Sequence, residues 1–446
     1  MQKSYEIDMC TGPLFRKLLI FSLPLMMSGI LQLLFNAADI VVVGRFTGSQ
    51  ALAAVGSTSS LIALFVNFFI GFSIGTNVLV ARYYGAKNQQ NVHETVHTSI
   101  LVSIISGLVL IIVGLVFAVP MLELMGTPED VLDQATLYIR IYFIGMPSVM
   151  LYNFGAAILR AIGDTRRPLY YLMSAGIINV VLNLFFVIIC HLGVAGVALA
   201  TIISQTVSAI LILRCLTKMD GICRLVWRDL KIHKDKLKAV LRLGLPAGLQ
   251  SSVFSISNVL IQSSVNSFGS MAMAGNTAAS NLESFIYTSM NSIYQANLSF
   301  TSQNVGAHKY NNINRILVRC IVLVVCIGAV MGALALTFHS QLLGIYSSDP
   351  EVAVYGIKRM AVICSTYYLC GTMDTLVGSM RGMGYSMLPM LVSLAGACGF
   401  RIVWIFTIFA WNHSLESLYI SYPISWGLTA AVHLACFIVL KRKHYP

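Results

Sequence analysis

Two apolar stretches of this chain match one another 222 residues apart, and that match restricts the fold more than any other feature. Residues 18–43 read LLIFSLPLMMSGILQLLFNAADIVVV. Residues 240–265 read VLRLGLPAGLQSSVFSISNVLIQSSV, which sets Pro24 over Pro246 and Asn36 over Asn258. Further along, Gly85 and Ala86 fall over Gly306 and Ala307, and LRAIGDTRRP (159–168) falls over MRGMGYSMLP (380–389), at an offset of 221. The chain is a tandem repeat, so its two halves are expected to build the same structure.

The repeated unit belongs in a membrane. Of 446 residues, 57% are hydrophobic and 10% charged, where a soluble protein carries about 25% charge. Twelve apolar segments can be drawn, at roughly 15–38, 53–78, 95–118, 136–158, 169–190, 195–216, 239–264, 276–299, 315–338, 353–376, 387–410 and 417–440. Each is long enough to cross a hydrocarbon core of about 30 Å as a helix. Barrel strands would be shorter and strictly alternating. The net charge of +12 does not need a nucleic acid to explain it. Of the 29 lysines and arginines, 24 fall in connections on one side, from Lys3, Arg16 and Lys17 to Lys441, Arg442 and Lys443. That is the positive-inside pattern, with both termini cytoplasmic. The ten cysteines form no C-x-x-C pair and are read as small apolar fillers. The first residues carry no apolar core or cleavage site of a signal peptide.

The expected fold is therefore an all-α integral membrane protein of the inner (plasma) membrane. It has twelve transmembrane helices in two pseudo-symmetric six-helix bundles, over residues 1–216 and 239–446. A basic cytoplasmic linker, 217–238, divides them, read either as an amphipathic segment on the inner leaflet or as a charged connection that fixes topology. Six spans are an even number, so the repeats run parallel, and two such bundles facing one another make a cleft that can open to either side. This favours a carrier over a channel or receptor. No P-loop or G-x-G-x-x-G occurs, and the single matches to H-E-x-x-H (93–97) and G-x-S-x-G (71–75) are short motifs that do not make an enzyme by themselves; neither an ATP-driven pump nor an enzyme is expected, and no cofactor.

With these residues in hand, the chain resembles the multidrug and toxic compound extrusion (MATE) family of antiporters over nearly its whole length. The resemblance rests on SLP and GLP at Pro24 and Pro246, AAD-IVVVGR around Asp39, ALAAVG at 51–56, the GA loops at 85 and 306, the R-x-x-G elements at Arg160 and Arg381, and NVVLN followed by GVAGVALAT at 179–201. It implies cation-coupled antiport of hydrophobic or cationic drug-like compounds by alternating access, driven by Na⁺ or H⁺. The coupling ion would bind at Asp39, with Asn179, Asn183 and Thr201 completing the site. Many members carry a second aspartate where this chain has Asn183. The seventh-span glutamate of other branches is also missing here, since no acid lies between Arg242 and Glu283. Relatives that flip lipid-linked saccharides or cell-wall precursors are the alternative. They predict a basic cleft, and the carboxylates Asp39, Glu283 and Asp374 in or beside apolar segments argue against it.

The residues themselves support this distribution of roles. An intramembrane carboxylate faces a cavity or a partner, and Asp39 is read as such a site or, alternatively, as a helix-end charge paired to Arg45. Burial disfavours its charged form, so it can take up a proton, or hold Na⁺ among oxygen donors. Asn179 and Asn183 share one helix face. In the eighth span Asn276, Glu283, Tyr287, Asn291 and Tyr294 make a polar stripe expected to face the cleft. Gln32, Asn36, Glu283, Tyr287 and Asp374 are the candidate substrate contacts, with Arg401 as a possible structural partner for either carboxylate. Arg160 and Arg381 are read as topology and loop-capping residues. Pro24 and Pro246 are the candidate hinges. The expected partners are small-molecule substrates and membrane lipids, and the protein is expected to be a monomer.

Overall fold

A computed structural model describes residues 5–347 and 349–445, so Lys3 lies outside the described residues. These residues are helical throughout, with no strand among them. The long elements are α1 (Leu14–Phe46), α2 (Ser49–Gly85), α3 (Gln89–Leu124), α4 (Glu129–Ile144), α5 (Met146–Ala161), α6 (Arg166–Leu184) and α7 (Gly193–Lys218). After them come α8 (Lys234–Asn266), α9 (Ser270–Gly306), α10 (Asn311–Thr337), the short α11 (His339–Gly344) and α12 (Pro350–Gly382). The chain ends with α13 (Met387–Ser393), α14 (Phe400–Trp404) and α15 (Leu415–His444). π turns extend α6 over Phe185–Ile189 and flank α14 over Leu394–Gly399 and Ile405–Phe409.

All twelve expected spans fall on these helices. Ten helices are long and apolar enough to cross a membrane by themselves, α13, α14 and their π turns counting as one. The fourth span is not straight. Gly145 separates α4 from α5 with a 47° bend, and together they make an eleventh span. Pro147 sits in the first turn of α5 rather than inside a helix, where a missing N–H costs nothing. The remaining span is α9, as long as α2 but rich in amide and hydroxyl side chains, so it does not pass on apolarity alone. The outer faces carry large apolar side chains such as Ile112, Val116, Val181 and Phe406, the surface that a lipid solvent requires. The protein is a multi-pass membrane protein.

The repeat is visible in the backbone. Left-handed residues recur at an offset of 221: Gly48 and Gly269, Lys87 and His308, Gly163 and Gly384. Gly163 has no room for a side chain, because a Cβ would lie 2.5 Å from the Ile7 nitrogen.

The chain forms two compact units whose boundaries fall inside helices. The first comprises residues 1–8 and 27–248, the second residues 9–26 and 249–446. α1 and α8 thus each belong to one unit at their start and to the other at their end. Each change of unit comes two residues after the proline inside the helix, Pro24 in α1 and Pro246 in α8. In the first unit α3, α4 and α5 pack around Leu110, Phe143, Met146 and Met150. In the second, α9, α12 and α15 enclose Met373, Leu376, Tyr419 and Trp426. Each unit also ties its second span to its fourth through a buried asparagine. Asn77 donates to the Ala157 carbonyl at 3.0 Å, and Asn297 to the Thr375 carbonyl at 2.6 Å.

The first turns of α8 are held in the first unit by glycines. Gly71 and Gly75 of α2 lie against Gly244 and Gly248 of α8. A Cβ on Gly71 would be 2.3 Å from the Gly248 nitrogen, and one on Gly248 would be 2.2 Å from the Phe68 carbonyl oxygen. Such close backbone approach drives helix association where lipid removes the hydrophobic contribution. Gly248→Leu must therefore push backbone against backbone, at a cost of about 1–3 kcal/mol or more. The expected result is a several-fold loss of monodisperse protein in size-exclusion chromatography of membrane extracts. A wild-type profile would remove the glycine contact from the account.

The basic linker is docked onto the first unit. Between the end of α7 at Lys218 and the start of α8 at Lys234, the regular structure is a single turn at Trp227–Asp229. Cys223 and Leu225 are buried, and backbone groups fasten it to α3. The Val226 amide donates to His97 Nε2 at 3.0 Å, while His97 Nδ1 bonds the His93 carbonyl at 2.7 Å. The His233 amide donates to Thr98 Oγ1 at 3.1 Å. His97→Ala removes the acceptor for a buried amide, and tryptic cleavage within 218–234 should become several-fold faster, read by gel on purified protein.

Candidate functional site

Four polar side chains from three helices form one hydrogen-bonded chain in the first unit. Asp39 projects from the second half of α1. Asn179 and Asn183, one turn apart on α6, point the same way because residues i and i+4 share a face. Thr201 lies on α7. Asn183 Nδ2 donates to the Asp39 carboxylate and, at 3.2 Å, to Asn179 Oδ1. Asn179 Nδ2 reaches Thr201 Oγ1 at 3.4 Å, and Thr201 donates to the Val197 carbonyl at 3.0 Å. These are the four residues expected to hold a cation, and the structure brings all of them together. The asparagines are almost wholly enclosed, Asn183 being 1% exposed. Its Oδ1 is buried without a hydrogen-bond partner, so one carbonyl oxygen beside the carboxylate is uncommitted. No lysine or arginine pairs with Asp39 among the described residues, and the alternative pairing to Arg45 does not form. Tyr138 and Tyr142 of α4, stacked with centroids 5.9 Å apart, lie within the field of the carboxylate.

The chemistry follows from this donor set. A carboxylate, an unsatisfied amide oxygen and a hydroxyl are hard oxygen ligands suited to an alkali cation. The same carboxylate can instead carry a proton, since burial without a cationic partner penalises its charge. The π turn at Phe185–Ile189 begins two residues after Asn183, and π turns recur at functional sites.

Gln32 and Asn36 are exposed on α1. The second-unit candidates divide. Tyr287 is 40% exposed and donates its hydroxyl to Asp374. Glu283 does not face a cleft as the polar stripe suggested. It is 3% exposed, and Arg359 of α12 grips both its oxygens, Nε at 2.9 Å and Nη2 at 2.6 Å. Arg359 Nη1 also donates to Asn276 Oδ1 at 2.9 Å, and its guanidinium lies over the rings of Tyr419 and Tyr422. Asn276 donates to Gln262 at 2.7 Å, so this end of the stripe is interior packing. The expected partner Arg401 is used elsewhere. Arg381 is likewise no loop cap: buried, it donates to the Tyr294 hydroxyl at 2.7 Å and to Gln250 at 2.8 Å. Sequence reasoning passed over Arg359, although a lone arginine and a lone glutamate in apolar helices are expected to find one another.

Two clusters resemble metal sites, His93–His97–Asp229 and Glu94–His233–Asp235. In the first, both His97 nitrogens are committed to backbone groups. In the second, the Lys236 ammonium supplies the cation, 3.6 Å from Glu94 and 2.9 Å from Asp235. Both serve the docking of the linker.

The chain is 29% identical over 422 residues to the probable multidrug resistance protein YoeA of Bacillus subtilis, covering 93% of this chain and 91% of that protein. It is 23% identical over 438 residues to the multidrug export protein MepA of Staphylococcus haemolyticus, covering 97% and 94%. Its fold superposes with a TM-score of 0.91 on an outward-facing multidrug resistance MATE family transporter of the MOP superfamily, at 22% identity, covering 99% of this chain and all of that one. The MatE family model matches twice, over residues 24–185 and 246–407, one match beginning at each helix proline. The chain therefore belongs to the MatE family of transporters.

Proposed function

We propose that this protein is a secondary active exporter that exchanges a cation, H⁺ or Na⁺, for hydrophobic and often cationic drug-like compounds by alternating access. Both termini are cytoplasmic and the protein works as a monomer in the cell membrane. The observation that carries the reading is the Asp39 carboxylate, linked through Asn183 and Asn179 to Thr201 with no cationic partner. Names of relatives such as YoeA and MepA support the substrate class.

Antiport needs one site whose occupancy differs between two states of the protein. Asp39 supplies the ionisable group, and the amide pair orients it. Protonation or Na⁺ binding removes a net charge from the first unit and re-sorts its hydrogen bonds. Pro24 and Pro246 each free a backbone carbonyl close to the point where α1 and α8 change unit, so both helices can bend there. Gln32, Asn36, Tyr287 and Asp374 are the proposed substrate contacts, and Asp374 suits a cationic compound.

The test is efflux from vesicles reconstituted with purified protein, with Na⁺ and pH gradients imposed separately. Efflux should follow one gradient, and each exchanged ion of a tenfold gradient should sustain about tenfold accumulation. Transport that ignores both gradients would overturn the proposal.

A further inference from the structure

Arg401 carries a buried charge that no carboxylate of its unit answers. Three guanidiniums lie inside the second unit, Arg359, Arg381 and Arg401. Two carboxylates accompany them. Glu283 is occupied by Arg359, and Asp374 accepts from Tyr287 in the field of Arg381. The remaining acids of the unit, Asp349, Glu351 and Glu416, lie at its edges: Asp349 caps α12 at the Glu351 amide, Glu351 is in the exposed first turn of α12, and Glu416 pairs with Lys358 at 2.8 Å.

The surroundings of Arg401 are neutral. Its Nε donates to Ser425 Oγ at 2.9 Å, and its plane lies 4.1 Å from the Tyr422 ring centroid and 5.5 Å from that of Trp426. Nη2 is buried with no acceptor, and the residue is 3% exposed. The buried hydroxyl of Ser257 has no oxygen or nitrogen partner and bonds the Cys398 thiol beside it, which also feels the Arg401 charge. A guanidinium does not deprotonate in a protein, and an isolated buried charge is strongly disfavoured unless paired. Aromatic faces offset only a small part of that cost.

Backbone and repeat single out the same place. Arg401 sits on the five residues of α14, between two π turns. It stands 222 residues after Asn179, just as Ile261 stands 222 residues after Asp39. The first repeat has a carboxylate and amides here. The second has an arginine with a spare N–H, a hydroxyl bonded to no oxygen or nitrogen, and aromatic ring faces.

We propose that this cluster binds one small monovalent inorganic anion, chloride in the cell, held by Arg401 Nη2 and the Ser257 hydroxyl. One guanidinium left over balances one negative charge, which disfavours sulfate or phosphate. With the anion bound, the interior charge of the second unit is neutral.

Crystals of the full chain grown in bromide should show an anomalous peak beside the Arg401 guanidinium. In detergent at constant ionic strength, replacing gluconate with chloride should raise the unfolding midpoint of the wild type saturably. Arg401→Gln should abolish that shift. Ser257→Ala, a milder change, should move the chloride concentration needed for half the shift upward several-fold. Bromide absent from Arg401 in the wild type, or an unchanged chloride response in Arg401→Gln, would overturn the assignment.

Discussion

Asp39→Asn should abolish coupled efflux while the protein still reaches the membrane at wild-type levels. Asparagine keeps the shape of the side chain and can still accept a hydrogen bond from Asn183 through its own carbonyl. The packing of α1 against α6 therefore survives. What disappears is the one group of the cluster that can change charge. Without it neither a proton nor Na⁺ binds differently in two states, and a ligand shifts an equilibrium only by its differential affinity. Resistance of a drug-sensitive host should fall to that of the empty vector, on the order of tenfold or more for one exchanged ion. Full resistance at normal membrane levels would remove Asp39 from the ion site. Asn183→Ala and Thr201→Ala should weaken coupling by smaller factors, since each removes one neighbour of the carboxylate and not the charge itself.

The same cluster shows what was legible in the sequence and why. Asp39 stands out because a carboxylate in an apolar run is expensive, and its absence at Ile261 made the asymmetry of the repeats plain. Asn179 and Asn183 came from the resemblance to the MATE family, and their i, i+4 spacing set them on one helix face. The twelve spans followed from apolar length and from the side-alternation of lysine and arginine. The polar α9 was drawn among the apolar segments, although its amide and hydroxyl side chains leave it the least apolar of the spans. Gly145 and Pro147 broke the fourth span where length alone suggested a straight helix. Tertiary pairing was the least legible. Glu283 and Arg359 lie 76 residues apart, and nothing local says which of three arginines an acid will meet. The unit boundaries inside α1 and α8 were also hidden, since proline marks a bend and not a change of neighbours.

Charge is handled differently in the two units, and this bears on where function resides. In the first unit the carboxylate meets only neutral donors, so its charge is free to change. In the second, Glu283 is fixed by two charge-assisted bonds and two aromatic rings stand over its partner. A bidentate pair of that kind is costly to break and poorly suited to cycle with each turnover. Asp374, bonded to the partly exposed Tyr287, is the second-unit acid better placed for a mobile role.

Removing either partner of the Glu283–Arg359 pair should destabilise the second unit severely, and removing both should not. Glu283→Ala leaves a guanidinium buried among Asn276, Tyr419 and Tyr422 with its charge unanswered. Arg359→Ala leaves a buried carboxylate with no cationic partner and an Asn276 oxygen held only by the Tyr419 hydroxyl at 3.2 Å. Each single change is expected to cost about 3–5 kcal/mol, seen as a large fall in the unfolding midpoint of purified protein. In Glu283→Leu/Arg359→Met the charges go together and apolar side chains of similar volume fill the space. Such exchanges are often neutral, so the double variant should recover most of the lost stability. Transport by the double variant then separates two roles. If the pair is interior packing, efflux returns along with stability. If the double variant is stable yet inactive, Glu283 acts in the transport cycle, and its charge must be released from Arg359 at some step.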